Sequence, residues 1–274
     1  MSIRETFEAA GQSHLFQFET QVSKEDFDKF ISNLETLGDP KSLLGDVSNA
    51  IAYSSNVSKG KTFGPLPETS FKSALTCNPN DLSTWESIGL ELIRNGKVAI
   101  ILMAGGQGTR LGSSAPKGCY NVGLPSNKSL FQLQVERIRK LEKLANGSIH
   151  LYVMTSIPTR SSTESFFESN GYFGWSKDKI TFFNQGTLPA FDLKGEKLLL
   201  GEDKVSLVES PDGNGGLYRA LYDNGILNDL KLKGIEHIHM YCVDNVLVKV
   251  GDPVFIGFSS SNEFQIATKV VRKE

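Results

Sequence analysis

The chain has 274 residues and a formal net charge of −2, with 39% hydrophobic and 22% charged residues. That length holds one large domain or a domain with an appendage, and the charge balance excludes general attraction to nucleic acid or an anionic membrane. No apolar segment follows the charged N-terminus, and no apolar run approaches the ~20 residues of a membrane helix. Cys77, Cys119 and Cys242 are odd in number and widely spaced, which reads as reduced thiols of a cytoplasmic protein and not as a disulfide framework or a zinc site.

Ser2 with Glu5 and Ser23 with Asp26 have capping-box spacing, so a helix is expected to start at each. After the second, Phe27, Phe30, Ile31 and Leu34 share one helical face, and Gly38 with Pro40 is expected to end the helix. Residues 54–70 are polar and carry Gly60, Gly64, Pro65 and Pro67, the composition of a long loop. A further helix is expected over 82–95, with Trp85, Ile88 and Leu92 inward and Gly96 closing it. Residues 1–95 thus read as a helical N-terminal region.

From residue 96 to 274 apolar strands alternate with helices. Residues 98–104 are continuously apolar, as in a strand covered on both faces of a parallel sheet. Ser129 and Gln132 also have capping-box spacing, so a helix is expected there with Phe131, Val135, Ile138 and Leu141 on one side. A strand over 149–155, a helix over 162–169 and a strand over 180–183 follow. Residues 191–200 read as a hairpin turning at Lys194 and Gly195, residues 216–229 as one helix, and residues 235–243 as another buried strand. The alternation predicts an α/β domain with a doubly wound, mainly parallel sheet, whose ligands sit beyond the C-terminal strand ends.

The first strand feeds directly into Gly105, Gly106, Gly108 and Gly112, with Arg110 inside this loop and Lys117 just beyond it. Glycines free the backbone N–H groups to face a ligand, and two fixed cations beside them make a site for a polyphosphate. The spacing is not that of a P-loop, because no glycine stands five residues before a Gly-Lys pair. It also misses the dinucleotide pattern by one residue, and the acidic ribose ligand expected about 20 residues on is absent.

Three more clusters fall at predicted strand ends or in adjacent loops. Gln185 carries both an amide donor and an acceptor, the pair needed to read a pyrimidine edge. Gly213 and Asn214 lie in a glycine-rich run ahead of a helix, where Asn214 can bond a hydroxyl or an amide carbonyl. Asp244 ends the last strand, placed for a divalent ion or a ribose hydroxyl, with Asn245 beside it. Gln185 and the run of Gly213 and Asn214 also have a plainer reading as turn chemistry. His237 and His239 alternate along that strand without a third ligand and read as ordinary strand residues, and Cys119 has no base next to it.

The run from Leu102 to Pro125 (LMAGGQGTRLGSSAPKGCYNVGLP), together with FFNQGTLPA from Phe182, PDGNGGLYRA from Pro211 and MYCVDNVLV from Met240, resembles the eukaryotic UDP-N-acetylhexosamine pyrophosphorylase family. Weaker similarity extends from the N-terminal helices to the last residue. The resemblance implies a Rossmann-like nucleotidyltransferase fold and Mg²⁺- or Mn²⁺-assisted transfer of uridylate from UTP to N-acetylglucosamine 1-phosphate. It implies UTP contacts from Leu102, Ala104, Gly105, Gly106, Lys117, Gln185, Gly213 and Asp244, with Arg110 and Lys117 neutralising phosphate charge. It further implies that Asn214 contacts the N-acetylhexosamine 1-phosphate and that Asp244 lies near the metal. Members of that family continue past Glu274 with a Glu-Tyr pair at the sugar, a further phosphate-binding lysine, more strands and a C-terminal domain, so an incomplete sheet is expected here. A UTP-binding chain without catalysis, or a pyrophosphorylase for another sugar 1-phosphate, are the alternative readings.

Overall fold

A computed structural model of the chain describes residues 2–56, 64, 66–67, 70–108, 112 and 114–271. Helices α1 (Ile3–Ala9), α2 (Lys24–Thr36), α3 (Pro40–Asn56) and α4 (Pro79–Arg94) precede β1 (Val98–Met103), α5 (Leu130–Ala145), β2 (His150–Thr155), α6 (Ile157–Ser169) and β3 (Ile180–Asn184). Short strands β4 (Thr187–Pro189) and β5 (Glu209–Pro211) come next, then α7 (Leu217–Asp223), α8 (Ile226–Leu232), β6 (His237–Cys242) and α9 (Pro253–Ser261). Two compact units result, Met1–Pro67 with Thr187–Ser210, and Glu68–Gly186 with Pro211–Glu274. The units therefore do not divide at residue 95: α4 belongs with the second, and the segment 187–210 belongs with the first. No helix among the described residues is long and apolar enough to cross a membrane.

The second unit is built on a parallel sheet ordered β3-β2-β1-β6. Alternation along β1 sends Val98, Ile100 and Leu102 into one core with α5, α6 and α9, and Ala99 and Ile101 into another with α7 and α8. Helices on both faces make the sheet doubly wound, which is why β1 reads as an unbroken apolar run. The expectation of a buried last strand needs correcting. β6 is an edge strand among the described residues, its Ile238 and Met240 about 40% exposed.

Helix ends follow local chemistry. Ser129 Oγ accepts from Gln132 N at 3.2 Å to start α5, but the Gln132 side chain turns to Glu136 and does not complete the box. Ser156 and Thr159 do form a capping box, starting α6 at Ile157, five residues ahead of the expected start. Asp39 accepts from the backbone of Lys41 and Ser42, so Pro40 opens α3 where the sequence suggested only a stop. α3 extends into the first three residues of the expected 54–70 loop, most of which lies outside the described residues. The single helix expected over 216–229 is broken by Gly225, whose φ of 70° is left-handed.

On α4, Gly89 and Ile93 are the buried positions, with Trp85, Ile88 and Leu92 only half-buried. A Cβ on Gly89 would lie 2.0 Å from Pro253 O, and one on Gly257 1.8 Å from Trp85 O, so α4 and α9 touch backbone to backbone. In the first unit, Phe7, Leu15, Phe16, Phe27, Phe30 and Leu34 pack with Leu198 of the expected hairpin. That hairpin is present as bridges between Phe191 and Leu198, its turn closed by Gly195 N donating to Asp192 O at 2.9 Å.

Candidate functional site

β2 and β3 lie on one side of β1 and β6 on the other, so the C-terminal ends of β1 and β6 flank a topological switch point. Both strand ends are firmly held. Ala104 N donates to Met154 O at 2.8 Å and Val243 N to Met103 O at 3.0 Å. Leu102 and Ala104 are almost fully buried, so what they present to a ligand is backbone.

Past Ala104 the chain needs glycine for a steric reason. A Cβ on Gly105 would stand 2.8–3.0 Å from the Gln185 amide atoms, so Gln185 lies against the bare Cα. Gln185 is itself buried, its N–H donating to Thr155 O at 2.8 Å. Ser156 Oγ donates to Gly105 O at 2.7 Å and fixes the peptide from the other side. The loop then doubles back, with Gly108 N donating to Ala115 O at 2.9 Å and Lys117 N to Gly106 O at 3.1 Å. This return carries the Lys117 side chain across Gly106, its Cε 3.4 Å from where a Cβ would be. Gly118 next to it sits on Phe131, where a Cβ would fall 2.1 Å from the ring. Arg110 lies outside the described residues.

Lys117 Nζ ends 3.2 Å from Asp244 Oδ2. The turn carrying Asp244 is gripped from α5: Gln134 Nε2 donates to Val243 O at 2.9 Å and Arg137 Nη1 to Val246 O at 2.6 Å. From β3, Gly186 O accepts from Asp212 N at 3.1 Å, bringing in the loop of Gly213 and Asn214. Gly213 has φ 71° and ψ −164°, a backbone that only glycine adopts readily. Asn214 Nδ2 reaches Cys242 Sγ at 3.6 Å, two residues before Asp244.

The structure thus gathers Gly105, Gly106, Lys117, Gln185 and Asp244 at the switch point, and sets Asn214, which follows Gly213, against the end of β6. Sequence reasoning missed Ser156, Gln134 and Arg137, of which only Ser156 left a trace, the Ser-x-x-Thr spacing just after a strand. Burial pushes the Cys119 thiol up to about 11, the opposite of an activated thiolate. His239 Nδ1 accepts from Gly251 N at 2.8 Å, a structural role. No group of three His, Cys, Asp or Glu side chains that could hold a metal occurs among the described residues.

A parallel sheet with a glycine loop, an amide and a cation converging at its switch point is the architecture of the nucleotidyltransferase class. The chain belongs to the UTP–glucose-1-phosphate uridylyltransferase family, which matches residues 63–274. A UDP-N-acetylglucosamine pyrophosphorylase of Saccharomyces cerevisiae is 51% identical over 279 residues, covering 98% of this chain and 58% of the yeast protein. UDP-N-acetylglucosamine diphosphorylase 2 of Arabidopsis thaliana is 40% identical over 96% of this chain and 54% of the plant protein. The crystal structure of the Trypanosoma brucei UDP-N-acetylglucosamine pyrophosphorylase with an inhibitor superposes with TM-score 0.80 at 27% identity, over 96% of this chain and 55% of that one. The chain spans a little over half the length of the relatives it matches.

Proposed function

We propose that this chain carries the UTP-binding part of a uridylyltransferase that forms UDP-N-acetylglucosamine and pyrophosphate from UTP and N-acetylglucosamine 1-phosphate. The observation that carries the reading is the pairing of adjacent glycines with different readers: Gln185 against Gly105 and Lys117 across Gly106. An amide able to read a base and a cation able to face phosphate therefore line adjacent residues of one loop. The 51% identity to the yeast enzyme supports the N-acetylated sugar.

In this reaction a phosphate oxygen of the sugar phosphate bonds to the α-phosphorus of UTP, and the bond from that phosphorus to the bridging oxygen breaks. The attacking oxygen is already ionised, so no protein base is needed. Alignment and charge neutralisation remain for the protein. Gln185 reads uracil, the backbone from Leu102 to Gly106 and Gly213 line the nucleotide, and Arg110 and Lys117 offset charge growing on pyrophosphate. Asn214 meets the sugar's acetamido group. A lone carboxylate fits Mg²⁺ or Mn²⁺ only as a metal–nucleotide complex, because such ions take one or two carboxylates plus substrate phosphates and Asp244 is already paired with Lys117. When bound, the ion supplies charge stabilisation across the phosphate oxygens. The free thiols are in keeping with a cytoplasmic setting.

Calorimetry of the folded chain with UTP is the test. Saturable binding that prefers UTP to CTP is expected, and its absence would overturn the reading. With both substrates, pyrophosphate release should favour N-acetylglucosamine 1-phosphate over glucose 1-phosphate; indifference would remove the acetamido role of Asn214.

A further inference from the structure

Asp212 has no part in the chemistry above, yet its carboxylate occupies a confined place. A Cβ on Gly216 would lie 1.9 Å from Asp212 Cγ and within 2.1 Å of both oxygens, and one on Gly186 would lie 2.6 Å from Oδ2. The carboxylate is wedged between the bare Cα atoms of two glycines, one following the uracil reader Gln185 and one closing the loop of Gly213 and Asn214. Its backbone N–H makes the bond to Gly186 O at 3.1 Å. Oδ1 is buried and has no hydrogen-bond partner among the described residues. A buried carboxylate oxygen without a donor works against stability, so the group is not explained by what it adds to the fold.

We infer that Asp212 is a positioning residue whose side chain, acting through its planar shape, sets the spacing between Gln185 and the Gly213–Asn214 loop. The inference rests on the proposed UTP reading, because it matters only if both loops meet one ligand. Through this wedge, the uracil side and the sugar side of the site move together. With Oδ1 unpartnered among the described residues, the wedge acts by its shape, and asparagine should substitute where alanine does not.

The test uses the 274-residue chain with UTP and CTP as probes. Asp212→Ala is expected to weaken UTP binding about tenfold, or ~1.4 kcal/mol, as the two loops lose their spacing, and to narrow the UTP-over-CTP preference. Asp212→Asn should stay within about twofold of the parent by the same scale. Gly216→Ala, which drives a methyl into the carboxylate, should be more damaging than Asp212→Ala. Combining the two should recover binding, the non-additivity expected of two groups sharing one space. Independently of any nucleotide, hydrogen exchange at the Asp212 and Gly216 amides should quicken in Asp212→Ala and stay slow in Asp212→Asn. Unchanged exchange in Asp212→Ala, or an asparagine variant as impaired as alanine, would overturn the positioning role. Failure of the parent chain to bind UTP would instead remove the functional reading, with the exchange data still deciding the wedge.

Discussion

Lys117 and Asp244 make an ion pair with side chains 31% and 59% exposed, and pairs of that kind contribute little to stability. Lys117 is therefore free to exchange its carboxylate for a phosphate. Lys117→Ala should lower turnover by about 10²–10³, the usual loss for one donor to developing charge, while a melting curve shifts little. Gly105→Ala tests the other reader: its methyl would meet the Gln185 amide at 2.8–3.0 Å, so selection of UTP over CTP should collapse. Retained selectivity would mean that Gln185 does not read the base. His239 makes a stability prediction. Burial holds its imidazole down to about 4, with attraction from Asp252 and repulsion from Lys269 as smaller influences. Below about pH 6.5 the unfolded chain takes up a proton that the native chain refuses until near 4. Stability is therefore complete above pH 6.5 and declines as pH falls toward 4. Urea titrations at pH 7 and pH 5 should differ by about 2 kcal/mol from this group alone, a difference that His239→Asn should abolish.

Helices α4 and α9 meet through Gly89 and Gly257, each against a backbone atom of the other helix that cannot swing aside. Gly257→Ala should cost about 2–3 kcal/mol as overpacking, seen as a lower melting temperature, and wild-type melting would remove the close crossing. Elements were legible where one signal dominated. β1 announced itself through an unbroken apolar run, and α2 through its cap and its Phe27, Phe30 and Leu34 stripe. α3 was lost because Pro40 serves equally as a stop and as a first helical residue, and nothing after it is strongly periodic. Gly225 was overlooked within an otherwise helical stretch. β6 looked buried because its histidines and Tyr241 alternate with apolar residues, a pattern that does not distinguish an edge from a centre. The glycine loop, Gln185 and Asp244 were readable because each follows a strand. Of their supports, Ser156 left only its Ser-x-x-Thr spacing, while the α5 pair Gln134 and Arg137 depends on tertiary contacts and carries no local signature. Asp212 carries no signal of its own, since its meaning lies in two glycines distant or unremarkable in sequence.

The first unit is discontinuous, and its two pieces are joined by specific bonds. Gln12 is buried, donating to Glu196 O at 2.8 Å and accepting from Leu198 N at 3.0 Å. Replacing residues 187–210 by a short linker should leave the second unit folded and able to bind UTP, because Gly186 and Asp212 already stand within hydrogen-bond distance. Exchange protection in α1 and α2 should be lost in the same variant, and its survival would mean that those helices need no partner. This arrangement also dictates an order of events during synthesis. Gln12 and Leu198 are separated by 186 positions, so at ribosomal speeds roughly 10–40 s pass between their appearances. During that interval Phe7, Phe16 and Phe30 have no complete core to enter, while β1, β2 and β3 are emerging behind them. The start of this polypeptide waits on a segment made long after it, and a newly made chain carries an unsheltered aromatic cluster until residues 187–210 have been translated.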